Sequence, residues 1–180
     1  MAGALLYLDS SALVKLVVPE PETGALRGAL HAWPERVSSV AAQIEVERVA
    51  RRIGTGAIRR ARSVVARLAL VDLAEEVRTS AAALRPPELR LLDAIHLATA
   101  LSLGDDLGAL CAYDTRLLDA ATAAGVELAM KSAAQWLSFS AMNSATYPGM
   151  SRQNTIAVRS SPAAPTTTVQ ATTRLRPDAR

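Results

Sequence analysis

Four acidic residues stand where a chain could do hydrolytic or metal chemistry: Asp9, Glu45, Asp93 and Asp114. Asp9 directly follows the short apolar run Leu5 to Leu8, and Asp114 closely follows a second run ending at Tyr113. In open parallel sheets ligands bind beyond the carboxyl ends of the strands, so both carboxylates are expected on one rim. Each also precedes a helical stretch, where Asp is a favoured N-cap, and that plainer role stays open. Asp93 lies in a helix whose other positions are mostly Leu, Ile and Ala; an ionised carboxylate buried there needs a cation or several donors. At about 100° per residue, Asp93, His96 and Thr99 share one arc of that helix, which could face a metal pocket; a salt bridge from Asp93 to Arg90 is the alternative. Glu45 falls on the shoulder of an apolar stripe made by Ala42, Val46, Val49 and Ile53, roughly 60° away, and Glu47 falls on the far face as a solvated charge. Glu45 could point inward along the rim or pair with Arg48 or Arg52.

Three or four carboxylates brought together without cations repel one another, so their convergence implies a hard cation. Oxygen donors select Mg²⁺ or Mn²⁺. Zinc is disfavoured, because His31, His96 and Cys111 are the only nitrogen and sulfur candidates and their spacing matches no zinc pattern. No G-x-S-x-G surrounds a serine, and neither a Walker loop nor a G-x-G-x-x-G is present, which excludes the common serine-hydrolase and nucleotide-cofactor designs.

The elements that would place these groups alternate between short apolar strands and helices. Leu5 to Leu8 predicts a strand feeding a helix over 12–18, capped by Ser10 or Ser11. Helices are expected over 22–32, 40–53, 57–68 and 74–84, the last stopped by Pro86-Pro87. A long helix over 89–103 should end at Gly104. Strands are expected at 37–39, 109–113 and 126–129, with a helix over 115–124 before Gly125. This alternation predicts an α/β fold with a central parallel sheet covered on both faces.

The chain has 180 residues and a formal charge of +3. Residues 1–137 carry fifteen Lys and Arg against sixteen Asp and Glu, whereas residues 138–180 carry five Arg against Asp178 alone. The basic balance therefore belongs to the final stretch, whose Ser, Thr, Pro and Ala content without periodicity predicts a disordered tail. Residues 1–137 are expected to form one domain. Cys111, the lone cysteine, sits in an apolar run and is expected to be buried and inert, which suits a reducing cytoplasm. No stretch approaches the roughly 20 apolar residues of a membrane span.

Taken in order, Tyr7-Leu8-Asp9-Ser10-Ser11-Ala12-Leu13-Val14-Lys15-Leu16, Pro19-Glu20-Pro21-Glu22, Gln43 to Arg52, Leu92-Asp93-Ala94-Ile95-His96-Leu97-Ala98-Thr99-Ala100 and Ala112-Tyr113-Asp114-Thr115-Arg116-Leu117 resemble the successive signatures of PIN-domain toxins of the VapC kind. The resemblance spans roughly residues 4–130. It implies a PIN-like α/β/α sandwich, a Mg²⁺- or Mn²⁺-dependent endoribonuclease site, and a cognate VapB-like antitoxin; a homodimer is also expected. By motif, Asp9, Glu45, Asp93 and Asp114 become the catalytic quartet, Asp9, Asp93 and Asp114 the metal ligands, and Ser11 a hydroxyl that orders Asp9. Some members carry a further acidic or polar residue where this chain has Arg116, so a second metal position is expected to be weak. Arg48, Arg51, Arg52, Arg59, Arg60 and Arg62 could contact RNA phosphates or simply form a solvated face. The rival function is a catalytically silent PIN module that binds RNA or an antitoxin.

Overall fold

Alternation in β1 (Leu5–Leu8) decides how the layers assemble. Leu6 and Leu8 point to one side of the sheet and Tyr7 to the other, and all three are fully buried. In the computed structural model, which describes residues 4–129, β1 lies at the centre of a four-stranded parallel sheet of order β3-β2-β1-β4. Its neighbours are β2 (Arg36–Ser39) and β4 (Leu107–Cys111), and β3 (Ala69–Val71) forms the edge beyond β2. Tyr7 stands in register with Val37 on one side and Leu110 on the other.

Helices α1 (Ser10–Val17), α2 (Thr23–Leu30), α3 (Val40–Ile53) and α4 (Thr55–Val65) supply the side chains that meet Leu6 and Leu8. On the Tyr7 face lie α6 (Leu91–Leu101) and α7 (Thr115–Ala123), with α5 (Glu75–Ala83) packed against α6. Burying each large aliphatic side chain contributes about 1.5–3 kcal/mol, so a sheet apolar on both faces is stable only as this sandwich. The expected α/β/α architecture is the one observed.

Several boundaries differ from expectation. The first helix begins at Ser10, and its cap is Asp9 rather than a serine, because the Asp9 carboxylate reaches the Ala12 N–H. The fourth strand covers Leu107–Cys111 rather than 109–113, which leaves Ala112 and Tyr113 as a link to Asp114. Residues 126–129 make one isolated parallel bridge, Leu110 to Leu128, instead of a strand. β3 was not anticipated: its three residues are all half-buried and carry no alternation long enough to read. Gly104 does not end α6, whose cap is Ser102; it opens a short 3₁₀ turn with φ 54°. Gly125 has φ 76°, as a chain reversal directly after α7 requires. Among the described residues no helix is long and apolar enough to cross a membrane. The expected tail, 138–180, lies outside the described residues, as does the end of the 1–137 domain.

Candidate active site

Asp9 is delivered to the rim by β1, whose ladder continues through Asp9 N–H to the Cys111 carbonyl at 3.1 Å. Its Oδ1 accepts from Ala12 N–H at 3.0 Å and from the Ser11 hydroxyl at 2.8 Å. The same Ser11 oxygen accepts the Tyr113 N–H at 2.7 Å, so one hydroxyl ties the ends of β1 and β4 together around the carboxylate. Asp9 is only 3% exposed. Burial raises its pKa above the ordinary carboxylate value, and His96 together with the Ala12 and Ser11 donors oppose that rise.

Asp93 occupies the first turn of α6 and is 9% exposed. Its Oδ2 is buried without a hydrogen-bond partner among the described residues. Burial raises its pKa, the Asp114 charge raises it further, and Arg116, Arg90 and His96 pull the other way. Arg90 is thus near enough to matter electrostatically, but the described ion pairs do not include one with Asp93.

Asp114 caps α7 through a 2.9 Å bond from the Arg116 N–H, and its other oxygen accepts from the Arg116 guanidinium at 3.2 Å. Desolvation alone would raise its pKa, but the hydrogen bonds and charge of Arg116 leave it below the ordinary value. Arg116 is the residue whose role in this geometry the sequence did not disclose.

Glu45 does point along the rim, and its partner is neither Arg48 nor Arg52. Its Oε2 accepts from His96 Nε2 at 2.9 Å, and His96 Nδ1 lies 2.8 Å from the Tyr7 hydroxyl. Glu47 is half-buried and accepts from Gln43 at 3.1 Å, so it is less solvated than expected. His96 and Thr99 are buried together with Asp93, as their shared arc predicts. His31 is exposed at the end of α2, and Cys111 is buried, its thiol pKa pushed up first by burial and then by Asp9. The Pro19 to Glu22 segment serves Lys15, which pairs with Glu20 and Glu22 and lies 4.6 Å from the centre of the Tyr113 ring.

The mutual influence of Asp9 and Asp93 with His96, of Asp93 with Asp114, and of Tyr7 with Asp9 and Glu45 places all four acidic residues around one end of the sheet. Among the described residues, however, no three Asp, Glu, His or Cys side chains stand close enough together to enclose an ion. Both oxygens of Asp114 are turned to Arg116. The donor chemistry still fits a hard cation: every candidate ligand is a carboxylate, and the orphaned Asp93 Oδ2 is a buried acceptor that nothing among the described residues satisfies.

Comparison with known proteins places this geometry in a family. The PIN domain profile matches residues 6–123. Ribonuclease VapC46 of Mycobacterium tuberculosis is 50% identical over 123 residues, covering 68% of this chain and 95% of that protein. Ribonuclease VapC35 of the same species is 41% identical over 123 residues, covering 66% and 91% respectively. A solved toxin-antitoxin complex from Klebsiella pneumoniae superposes with a TM-score of 0.52 at 25% identity, over 61% of this chain and 87% of that one. Sheet order, the rim of carboxylates and these matches agree, and the chain belongs to the PIN-domain family, among its VapC members.

Proposed function

We propose that this protein is a Mg²⁺- or Mn²⁺-dependent endoribonuclease, the toxin of a type II toxin-antitoxin pair, with Asp9, Asp93 and Asp114 as metal ligands and Glu45 as the group that orients or deprotonates the attacking water. The observation that carries this reading is the unpartnered buried oxygen of Asp93 beside Asp114, inside the segment that matches the PIN domain. Support also comes from relatives named as ribonucleases and from a structural neighbour solved as a toxin-antitoxin complex.

A divalent cation at such a site acidifies bound water and neutralises the charge on a scissile phosphate. The chain's own residues do the rest. Ser11 and the Ala12 N–H fix Asp9 in one orientation. Asp93 presents an oxygen free of donors among the described residues, and Glu45 supplies an acceptor at the half-exposed edge of the site. Attack in line with the leaving oxygen gives a 5′-phosphate and a 3′-hydroxyl. The exposed arginines 48, 51, 52, 59, 60 and 62 form a basic surface on α3 and α4 suited to phosphates.

Ile44 and Ile53 on α3 are 60% and 52% exposed, apolar surface that an antitoxin would cover. Cleavage of total RNA followed by end mapping tests the reading. Wild type should cut in Mg²⁺ and not in chelator, leaving 5′-phosphates; Glu45→Gln should be slowed by about 10²- to 10⁴-fold and Glu47→Gln unaffected. A folded wild-type protein that binds the co-expressed product of the neighbouring gene but cuts no RNA would favour the silent module, for which the Arg116 bond to Asp114 is the specific argument.

A further inference from the structure

His96 is 2% exposed, yet both of its ring nitrogens are engaged by side chains from different layers of the sandwich. Nε2 faces Glu45 on α3 and Nδ1 faces Tyr7 on β1, with the Tyr7 and His96 rings edge to face, 6.0 Å between centroids. A carboxylate can only accept, so the Nε2 hydrogen is the one donated to Glu45. The Tyr7 side chain is fully buried, and its hydroxyl closes the other side of the ring at Nδ1. The Tyr7 hydroxyl, which can donate to a bare Nδ1 or accept from a protonated one, holds the ring's orientation in either state. Tyr7 itself cannot move: its backbone is paired with strands on both sides, and the Thr99 and Ser39 hydroxyls stand beside its oxygen.

A histidine that merely completes the core could use any acceptor within reach. This one directs Nε2 to a half-exposed glutamate on another helix, a long side chain with many rotamers in solution. We infer that His96, held by Tyr7, is a positioning residue for Glu45, setting that carboxylate at the rim before RNA arrives. The inference rests on the role assigned to Glu45 above. A group held in productive geometry by buried supports works faster without binding substrate more tightly, so the effect belongs in kcat and not in KM.

The test is steady-state cleavage, by the full chain in Mg²⁺, of a short RNA oligonucleotide carrying the mapped cleavage site. Removal of a general base costs about 10²- to 10⁴-fold in kcat, and Glu45→Gln should fall in that range. His96→Leu should lose roughly tenfold or more in kcat with KM within about twofold, since only positioning is lost. His96→Gln, whose amide can still donate, should recover most of that loss, and Tyr7→Phe should cost a few-fold. Adding His96→Leu to Glu45→Gln should cost nothing further, because the two act as one unit. Wild-type kcat in both His96 variants, or losses that multiply in the double variant, would overturn the inference while leaving Glu45 in place. Full activity in Glu45→Gln would instead remove the reading on which it rests. If His96→Leu does not fold, the ring ¹⁵N shifts of wild type decide: a proton on Nε2, with a pattern that changes in Glu45→Gln, supports the inference, and a proton on Nδ1 alone refutes it.

Discussion

Asp9 and Asp114 hold equivalent places in the fold. Each follows one of two adjacent parallel strands, and each caps the helix that comes next, accepting a backbone N–H with one oxygen. Their environments then diverge. Asp9 is buried, braced by Ser11, and has a raised pKa; Asp114 is more open, is bonded by Arg116, and has a lowered one. The shared cap is a consequence of local chain geometry. The electrostatic difference comes from depth and from the identity of one neighbour, so two residues alike in motif are unlike in readiness for a cation. Asp93 lies between these extremes, buried like Asp9 but without its donors.

The largest effect should follow from Asp93→Asn. Cleavage should be abolished, while the metal-free protein becomes more stable. The sign follows from the direction of the shift: a carboxyl with a raised folded-state pKa favours folding below its ordinary pKa, and that contribution is lost as pH rises through the raised value. Near neutral pH the ionised Asp93 is therefore a cost, which the isosteric amide removes. A gain of about 1 kcal/mol would appear as roughly 4 °C in the melting of a domain of this size in chelator. Mg²⁺ should raise the melting temperature of wild type and not of the variant. A variant that melts lower than wild type in chelator would mean that Asp93 is satisfied in the free protein, and the contrast with Asp9 would fail.

Ser11→Ala tests the braced corner and should act more mildly. The substitution removes one donor to Asp9 and the acceptor of the Tyr113 N–H, a loss of about 1–3 kcal/mol in stability. Loss of such a support to a ligand lowers metal affinity by about 10- to 100-fold, and the lower end is expected because the Ala12 N–H remains. The Asp9 pKa should climb further, so Mn²⁺ binding followed by calorimetry should weaken at a higher pH than in wild type. Equal Mn²⁺ affinity across the pH range in the two proteins would leave Ser11 a purely structural link between strands.

The skeleton of this site was legible because it depends on rules that act within a few residues. The apolar runs before Asp9 and Asp114 marked strand ends, and the helical period put Asp93, His96 and Thr99 on one buried arc and Glu45 on an inward shoulder. What escaped depends on contacts between distant parts of the chain. The Tyr7 to His96 bond joins residues 89 positions apart, and the Glu45 to His96 bond joins residues 51 apart. Neither leaves a periodic signal. Ile53 was read into the α3 core stripe but is exposed, while Ala50 is buried, because α4 turns back after Gly54 and packs against the small residues. The three-residue edge strand β3 is held in place by its pairing with β2, which no local propensity encodes.

The smallest effect is expected from Arg116→Ala, and it addresses the comparison most directly. Arg116 donates twice to Asp114, once from its backbone and once from its guanidinium. Alanine keeps the backbone donor, and with it the cap on α7, but releases the second oxygen. The side chains are 49% and 28% exposed, and an ion pair at such a surface is worth about 0–1 kcal/mol, so the guanidinium can oppose a cation only weakly. Mn²⁺ affinity measured without RNA should therefore tighten by at most about fivefold, the ratio that 1 kcal/mol allows. Arg116→Lys, which keeps the charge but not the planar donor geometry, should fall between the two. The measurement must exclude RNA, because Arg116 could also meet a phosphate, and its loss would then raise KM and mask the gain. If Mn²⁺ bound Arg116→Ala no more tightly than wild type, the guanidinium would not compete for Asp114, and burial alone would separate the two corners.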